Sequence, residues 1–129
     1  MTLQVIQPHN VHDTSAFVHS HALRMGDMIF VAGQAAIDPQ GNVVGRGDIR
    51  EQAEQVFHIA AVLQSAGSGM ENVDKLTVLT TPVEHRLVIH KIRSRIFGAI
   101  GRFPASPLAV ASSLASPDWL VEIEAVAFA

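Results

Sequence analysis

The run from Trp119 to Phe128 puts apolar residues on both of its alternating faces, and no other segment constrains the fold as much. Side chains of a strand alternate sides. Trp119, Val121, Ile123, Ala125 and Ala127 therefore share one face, and Leu120, Glu122, Glu124, Val126 and Phe128 share the other. The first set suits a core beneath helices. The second mixes large apolar groups with two carboxylates, which is not the pattern of a solvated face. Met28, Phe30 and Ala32 alternate with Ile29 and Val31, so a second strand is apolar on both sides as well.

The cover available for such a sheet is small, because the sequence encodes only two helices. Asp48 and Glu51 have the spacing of a capping box. Ile49, Ala53, Val56, Ala60 and Leu63 follow at helical spacing, widened by Phe57 and Ala61, until Gly67 and Gly69 supply a left-handed stop. The second helix is expected to start with Thr81 as N-cap, Pro82 at its first position and Glu84 at its third. Its stripe is His85, Ile89, Ile92 and Ile96, widened by Leu87 and Val88, and Gly98 is its expected end. Two helices of this length cover one face of a five- or six-stranded sheet. The other apolar face then needs a second subunit, since left bare it would be a large sticky patch. A homo-oligomer is expected.

The remaining segments read as strands and loops. Leu3 to Ile6 suits an edge strand, and Gly26-Asp27 joins Ala22-Leu23 to Met28–Ala32 as a hairpin. Asp38 to Gly47 is a loop, and Leu76 to Thr80 is a short β-branched strand between the helices. Ala105–Ser112 and Trp119–Phe128 are expected to form a closing pair. The order is β-β-β-α-β-α-β-β, with no repeat and no linker. With 129 residues, 48% of them hydrophobic, and a net charge of −3, residues 1–129 form one domain with ample core. The absence of cysteine removes disulfides, thiolate metal sites and cysteine nucleophiles from consideration. Acidic residues outnumber Lys and Arg, 12 to 9, so no general field attracts nucleic acid or anionic lipid. No apolar run is long enough for a membrane span. Met1 to Asn10 has neither part of a secretory signal, and the expected location is cytoplasmic.

Several motifs together resemble the Rid/YjgF family of enamine/imine deaminase proteins. They are Gly26-Asp27-Met28-Ile29-Phe30-Val31-Ala32-Gly33-Gln34, Asp38-Pro39 with Gly41, Asp48 with Gln52-Ala53, Ala66-Gly67, Pro104-Ala105-Ser106, and Val121-Glu122-Ile123-Glu124-Ala125-Val126-Ala127. Each is common by itself; the set is specific in order and spacing, from about Ser20 to Ala127. The resemblance implies an α+β, chorismate-mutase-like subunit with a mixed five- to six-stranded sheet and two helices on one face. It also implies a homotrimer with a central β-barrel and one cleft at each subunit interface. The best-known members hydrolyse 2-aminoacrylate and related enamines or imines to 2-keto acids and ammonia, with no cofactor and generally no metal. An arginine pairs with the substrate carboxylate in them, and a glutamate holds the attacking water.

The glutamate matches Glu122, which is thereby the candidate catalytic residue. The arginine position holds Ser106, in Pro104-Ala105-Ser106-Pro107. A cleft tyrosine aligns with His19 and a cleft asparagine with His90. The chain is therefore similar to arginine-lacking subgroups, among them 2-aminomuconate deaminases, and its substrate is expected to differ from 2-aminoacrylate. Ser106 is too small and neutral to grip a carboxylate, though its hydroxyl can hydrogen-bond a ligand. Arg102 is a candidate for the missing cation, while Arg93 and Arg95 read as solvated or interface charges. Gly33 permits close approach of a ligand or a neighbouring strand.

Seven histidines raise the question of a metal. His19 and His21 have the i, i+2 spacing that sets two imidazoles on one strand face, but a single His-x-His is weak, and no metal is expected. His19 and His90 read instead as polar cleft lining. His9 and His12 fall in the start, and His58 and His85 read as ordinary helix residues. Aromatic residues are only 5% and no basic stripe exists, which argues against the ribonuclease activity once ascribed to some members. The expected activity is cofactor-independent hydrolytic deamination of a small enamine or imine. The alternative is a non-catalytic trimer that binds a small metabolite or a partner, marked by a cleft filled by His19, His90 and Phe103.

Overall fold

The computed structural model describes residues 2–129; Met1, the first residue of the segment read for a signal, lies outside them. Six strands form one mixed sheet: β1 (Leu3–Ile6), β2 (Ala22–Met25), β3 (Met28–Gln34), β4 (Val73–Thr80), β5 (Leu108–Val110) and β6 (Val121–Phe128). Their order across the sheet is β1-β2-β3-β6-β4-β5. All pairs are antiparallel except β4 with β5. The hairpin turns at Gly26, whose φ of 61° suits a residue without a side chain.

The closing pair is a correction. β5 runs parallel to β4 at the sheet edge, and β6 inserts between β3 and β4. The long β-branched and apolar run of β6 suits this central place, where both of its edges are paired and one face is buried under the helices. β5 is also shorter than expected. Pro104 and Pro107 have no N–H for a ladder, so only an isolated bridge from Ala105 to Lys75 precedes it.

The first helix is divided into α1 (Ile49–Gln55) and α2 (Ile59–Ser65) by a 3-10 turn at Val56–His58. Side chains three apart eclipse in such a turn, and Val56 and Ile59 both enter the core. Asp48 caps α1 as expected, accepting from Glu51 N at 3.1 Å. The Thr81 cap is not formed. Pro82 is extended, a 3-10 turn covers Val83–His85, and α3 spans Arg86–Ile100. His85 Nδ1 contacts the Thr81 carbonyl at 2.9 Å instead. The helix passes through Gly98 and ends at Gly101, in the left-handed region at φ 83°, so that Ile100 still packs on the core.

These helices cover one face of the sheet. Beneath them Ile29, Val31, Leu76, Val78, Val121, Ile123 and Ala127 are almost fully buried against Val56, Ile59, Leu63, Ile89 and Phe97. The opposite face is bare. Strand register aligns Leu3, Met25, Met28 and Phe128 across it, with Val5, Leu23, Phe30 and Val126 in the next row. Phe30 is 50% exposed and Val5 61%. Expected strand faces and observed burial thus agree residue by residue along β3 and β6.

Candidate active site

A bulge in β3 creates the site. The β3–β6 register shifts between Val31 and Gln34, which places Gly33 directly against the side chain of Glu122. A Cβ on Gly33 would lie 1.8 Å from Glu122 Oε1 and 2.7 Å from Cδ, so any larger residue must displace the carboxylate. Here glycine is required by close approach. Its partner strand is held in place by Gln52, fully buried on α1. Gln52 Nε2 donates to the carbonyls of Gly45 and Asp118, and its Oε1 accepts from Leu120 N at 2.9 Å, two residues before Glu122.

Glu122 faces a cavity of about 330 Å³ lined also by His12, Phe17, His19, Gly33, Ile37 and Trp119. Burial pushes its carboxyl above the usual carboxylate range, the nearby charge of Glu124 pushes it further, and His19 opposes both. A carboxyl raised in this way holds and releases a proton closer to neutrality, as proton-transfer chemistry requires. Glu124 is exposed and lines a different cavity, with Phe30, Lys75 and Thr77.

The structure brings Glu122, His19 and Gly33 together and sets the other candidates elsewhere. His90 and Ser106 line a separate cavity with Arg93, Ser94, Phe97 and Phe103. The two cavities share no residue. Arg102 is committed to structure: it donates to the carbonyls of Glu71 and Val73 and pairs with Asp74 at 2.8 Å. The residue that meets Ser106 is Arg93, one of the two arginines read as solvated or interface charges, whose Nη1 donates to Ser106 Oγ at 2.7 Å. The His19–His21 pair is drawn apart. His19 is exposed at the cavity, whereas His21 is fully buried with Nδ1 3.2 Å from Gln34 Oε1 and Nε2 2.6 Å from the His12 carbonyl.

The sequence reading missed a buried polar group behind this cavity. His12 is 7% exposed, and its ring lies 4.6 Å from that of His21 and 5.9 Å from that of His58. His58 Nε2 donates to Gln34 Oε1 at 2.7 Å, and Gln34 Nε2 donates back to the Ala32 carbonyl beside the bulge. The one early signal was the polar Gln34 at the end of an otherwise apolar strand. Burial lowers the His58 pKa to about 4, from an ordinary value of 6.5. Between these values an unfolded chain binds a proton that the folded one does not, so stability falls as pH drops from 6.5 toward 4. The full loss is about 3 kcal/mol. Melting curves across this range should show the decline, and His58→Gln should flatten it. An equal slope in the variant would assign the decline to other groups.

Residues 11–129 match the family model described as endoribonuclease L-PSP. A RutC family protein of Pyrococcus abyssi is 35% identical over 111 residues, 85% of each chain. The human 2-iminobutanoate/2-iminopropanoate deaminase is 29% identical over 84% of this chain and 78% of its own. Among solved structures, the Rid-family protein YyfA of Yersinia pestis superposes with a TM-score of 0.92 at 29% identity, covering 99% of this chain and 100% of that one.

Proposed function

Because the chain belongs to the endoribonuclease L-PSP family, that of the Rid/YjgF proteins, we propose that it hydrolyses a small reactive imine or enamine to a carbonyl compound and ammonia. The observation that carries this reading is the Glu122 carboxyl, raised in pKa and set against Gly33 in an open cavity. The name of the human relative supports the same reaction class. Glu122 as carboxylate orients a water and takes its proton as the oxygen attacks the imine carbon. The protonated carboxyl then delivers that proton to nitrogen. In the carbinolamine so formed, the carboxylate takes the hydroxyl proton and passes it to the amine as the C=O bond forms and the C–N bond breaks, so ammonia leaves, Glu122 ends as a carboxylate, and atoms and charge balance. An enamine first takes a proton at carbon and loses one from nitrogen, and so enters as the imine. His19, opposite, is a polar contact for the substrate.

The working unit is a homotrimer with its sheets facing inward. Two features support this: the bare apolar face of β1–β3 and β6, and the division of the candidate residues between two cavities on one chain. A cleft built from the Glu122 cavity of one subunit and the His90–Ser106 cavity of the next would reunite them. Ribonuclease action finds little support in the charges, since Arg24, Arg46, Arg95 and Arg102 each pair with a carboxylate. No helix among the described residues is long and apolar enough to cross a membrane.

The test generates short-lived imines and enamines in place and follows formation of the carbonyl product with and without the protein. Acceleration that scales with protein concentration is expected. A panel of such substrates, neutral and carboxylated, all released at the uncatalysed rate, would end the enzymatic reading.

A further inference from the structure

We propose that Arg93 is the anion anchor of this protein, gripping the carboxylate of a small imino or enamine acid from helix α3. The resemblance puts the family's arginine at the position of Ser106. In this chain the Arg93 guanidinium lies beside that position, with Nη1 donating to Ser106 Oγ at 2.7 Å, and the Ser106 hydroxyl in turn donates to the Leu76 carbonyl at 2.7 Å. The serine therefore steers a guanidinium that comes from the helix. Only one N–H of the planar fork is used in this way, which leaves the rest for the two oxygens of a carboxylate.

The surroundings favour an anion. Arg93 is half-buried and forms no ion pair among the described residues, unlike Arg95 two positions on, which is doubly bonded to Glu54. Arg86, His90 and Arg93 recur at helical spacing on one face of α3. They line two adjoining cavities that share His90 and Arg93, and no carboxylate lines either one. Burial also lowers the pKa of Arg93, as expected of a cation drawn from water with no anion beside it. Phe97, Phe103 and Pro104 complete the first cavity, of about 330 Å³, and suit a short apolar side chain. The substrate class is thus a 2-imino or enamine acid with an apolar side chain.

This assignment rests on the proposed deamination for its substrate class, and binding alone can test it. Calorimetry on the assembled protein compares 2-oxobutanoate, a keto acid, with butanone, which lacks the carboxylate. Saturable binding of the acid is expected, with none measurable for butanone. Arg93→Gln should weaken the acid by tenfold or more, the usual worth of a charge-assisted contact. Arg93→Lys should recover part of the loss, and Arg95→Gln, two positions along the helix and paired with Glu54, should bind as the parent does. If Arg93→Gln does not fold, Arg93→Lys serves in its place, with a several-fold loss expected because a point charge lacks the fork. Affinity unchanged by either substitution, or no saturable binding by the parent, overturns the assignment. Arg93-dependent binding without turnover of any imine would retain the anchor and defeat the deaminase reading. Turnover with a KM indifferent to Arg93 would do the reverse.

Discussion

Glu122→Gln is expected to fold and assemble normally while losing about a hundredfold or more in the rate of imine hydrolysis, the typical share of general acid–base catalysis. The amide keeps the size of the side chain and still fits against Gly33, but it cannot take the proton of the attacking water. Gly33→Ala should reach a similar loss by another route, since its methyl group occupies the place of Glu122 Oε1. Glu124→Gln is the contrasting case. It sits two residues along on the same face of β6, exposed and in another cavity, so most activity should survive. Its charge helps to hold the Glu122 carboxyl up, and removing it should move the acid limb of the pH–rate profile to lower pH. Rates measured across the pH range for the four proteins decide the matter. Equal losses in both glutamine variants would leave no special role for Glu122, and full activity in Glu122→Gln would remove the mechanism.

The sheet was legible in the sequence because alternation is a local signal. Every buried residue of β6 lies on the face that its pattern assigns to the core, and the Gly26-Asp27 hairpin pairs Ala22–Met25 with Met28–Val31 in register. Strand neighbours were harder, because pairing depends on distant segments; β5 and β6, adjacent in sequence, turned out to be separated by β4. Helix ends failed where tertiary packing outweighed local preference, as when Ile100 drew α3 past Gly98. The site shows the same division. Glu122 and Gly33 could be found from one strand each. Arg93 could not, because its position beside Ser106 depends on how α3 lies over the sheet edge. The His12–His21–His58 group likewise joins three distant segments through Gln34, and sequence spacing carries no trace of it.

Phe30→Asp should break the proposed trimer. Phe30 is central to the bare face, opposite Leu23 on β2 and Val126 on β6, and half of its surface is open in the single chain. Covering an aromatic ring of this kind is worth up to about 1.5–3 kcal/mol per subunit. An unpaired carboxylate in its place costs a further few kcal/mol, and the closed assembly carries that penalty three times. Light scattering of the parent at micromolar concentration should give the mass of three chains. The variant should give one chain, or lose solubility because Met28, Val5 and Phe128 remain uncovered. Phe128→Asp, in the adjacent row on the same face, should behave in the same way. Activity should disappear with the assembly although Glu122, Gly33 and Arg93 are untouched, since each chain keeps its two cavities apart. A monomeric parent would remove the trimer at once. A variant that stays trimeric would show that subunits meet elsewhere, whereas a monomeric variant with full turnover would place the whole reaction within one chain.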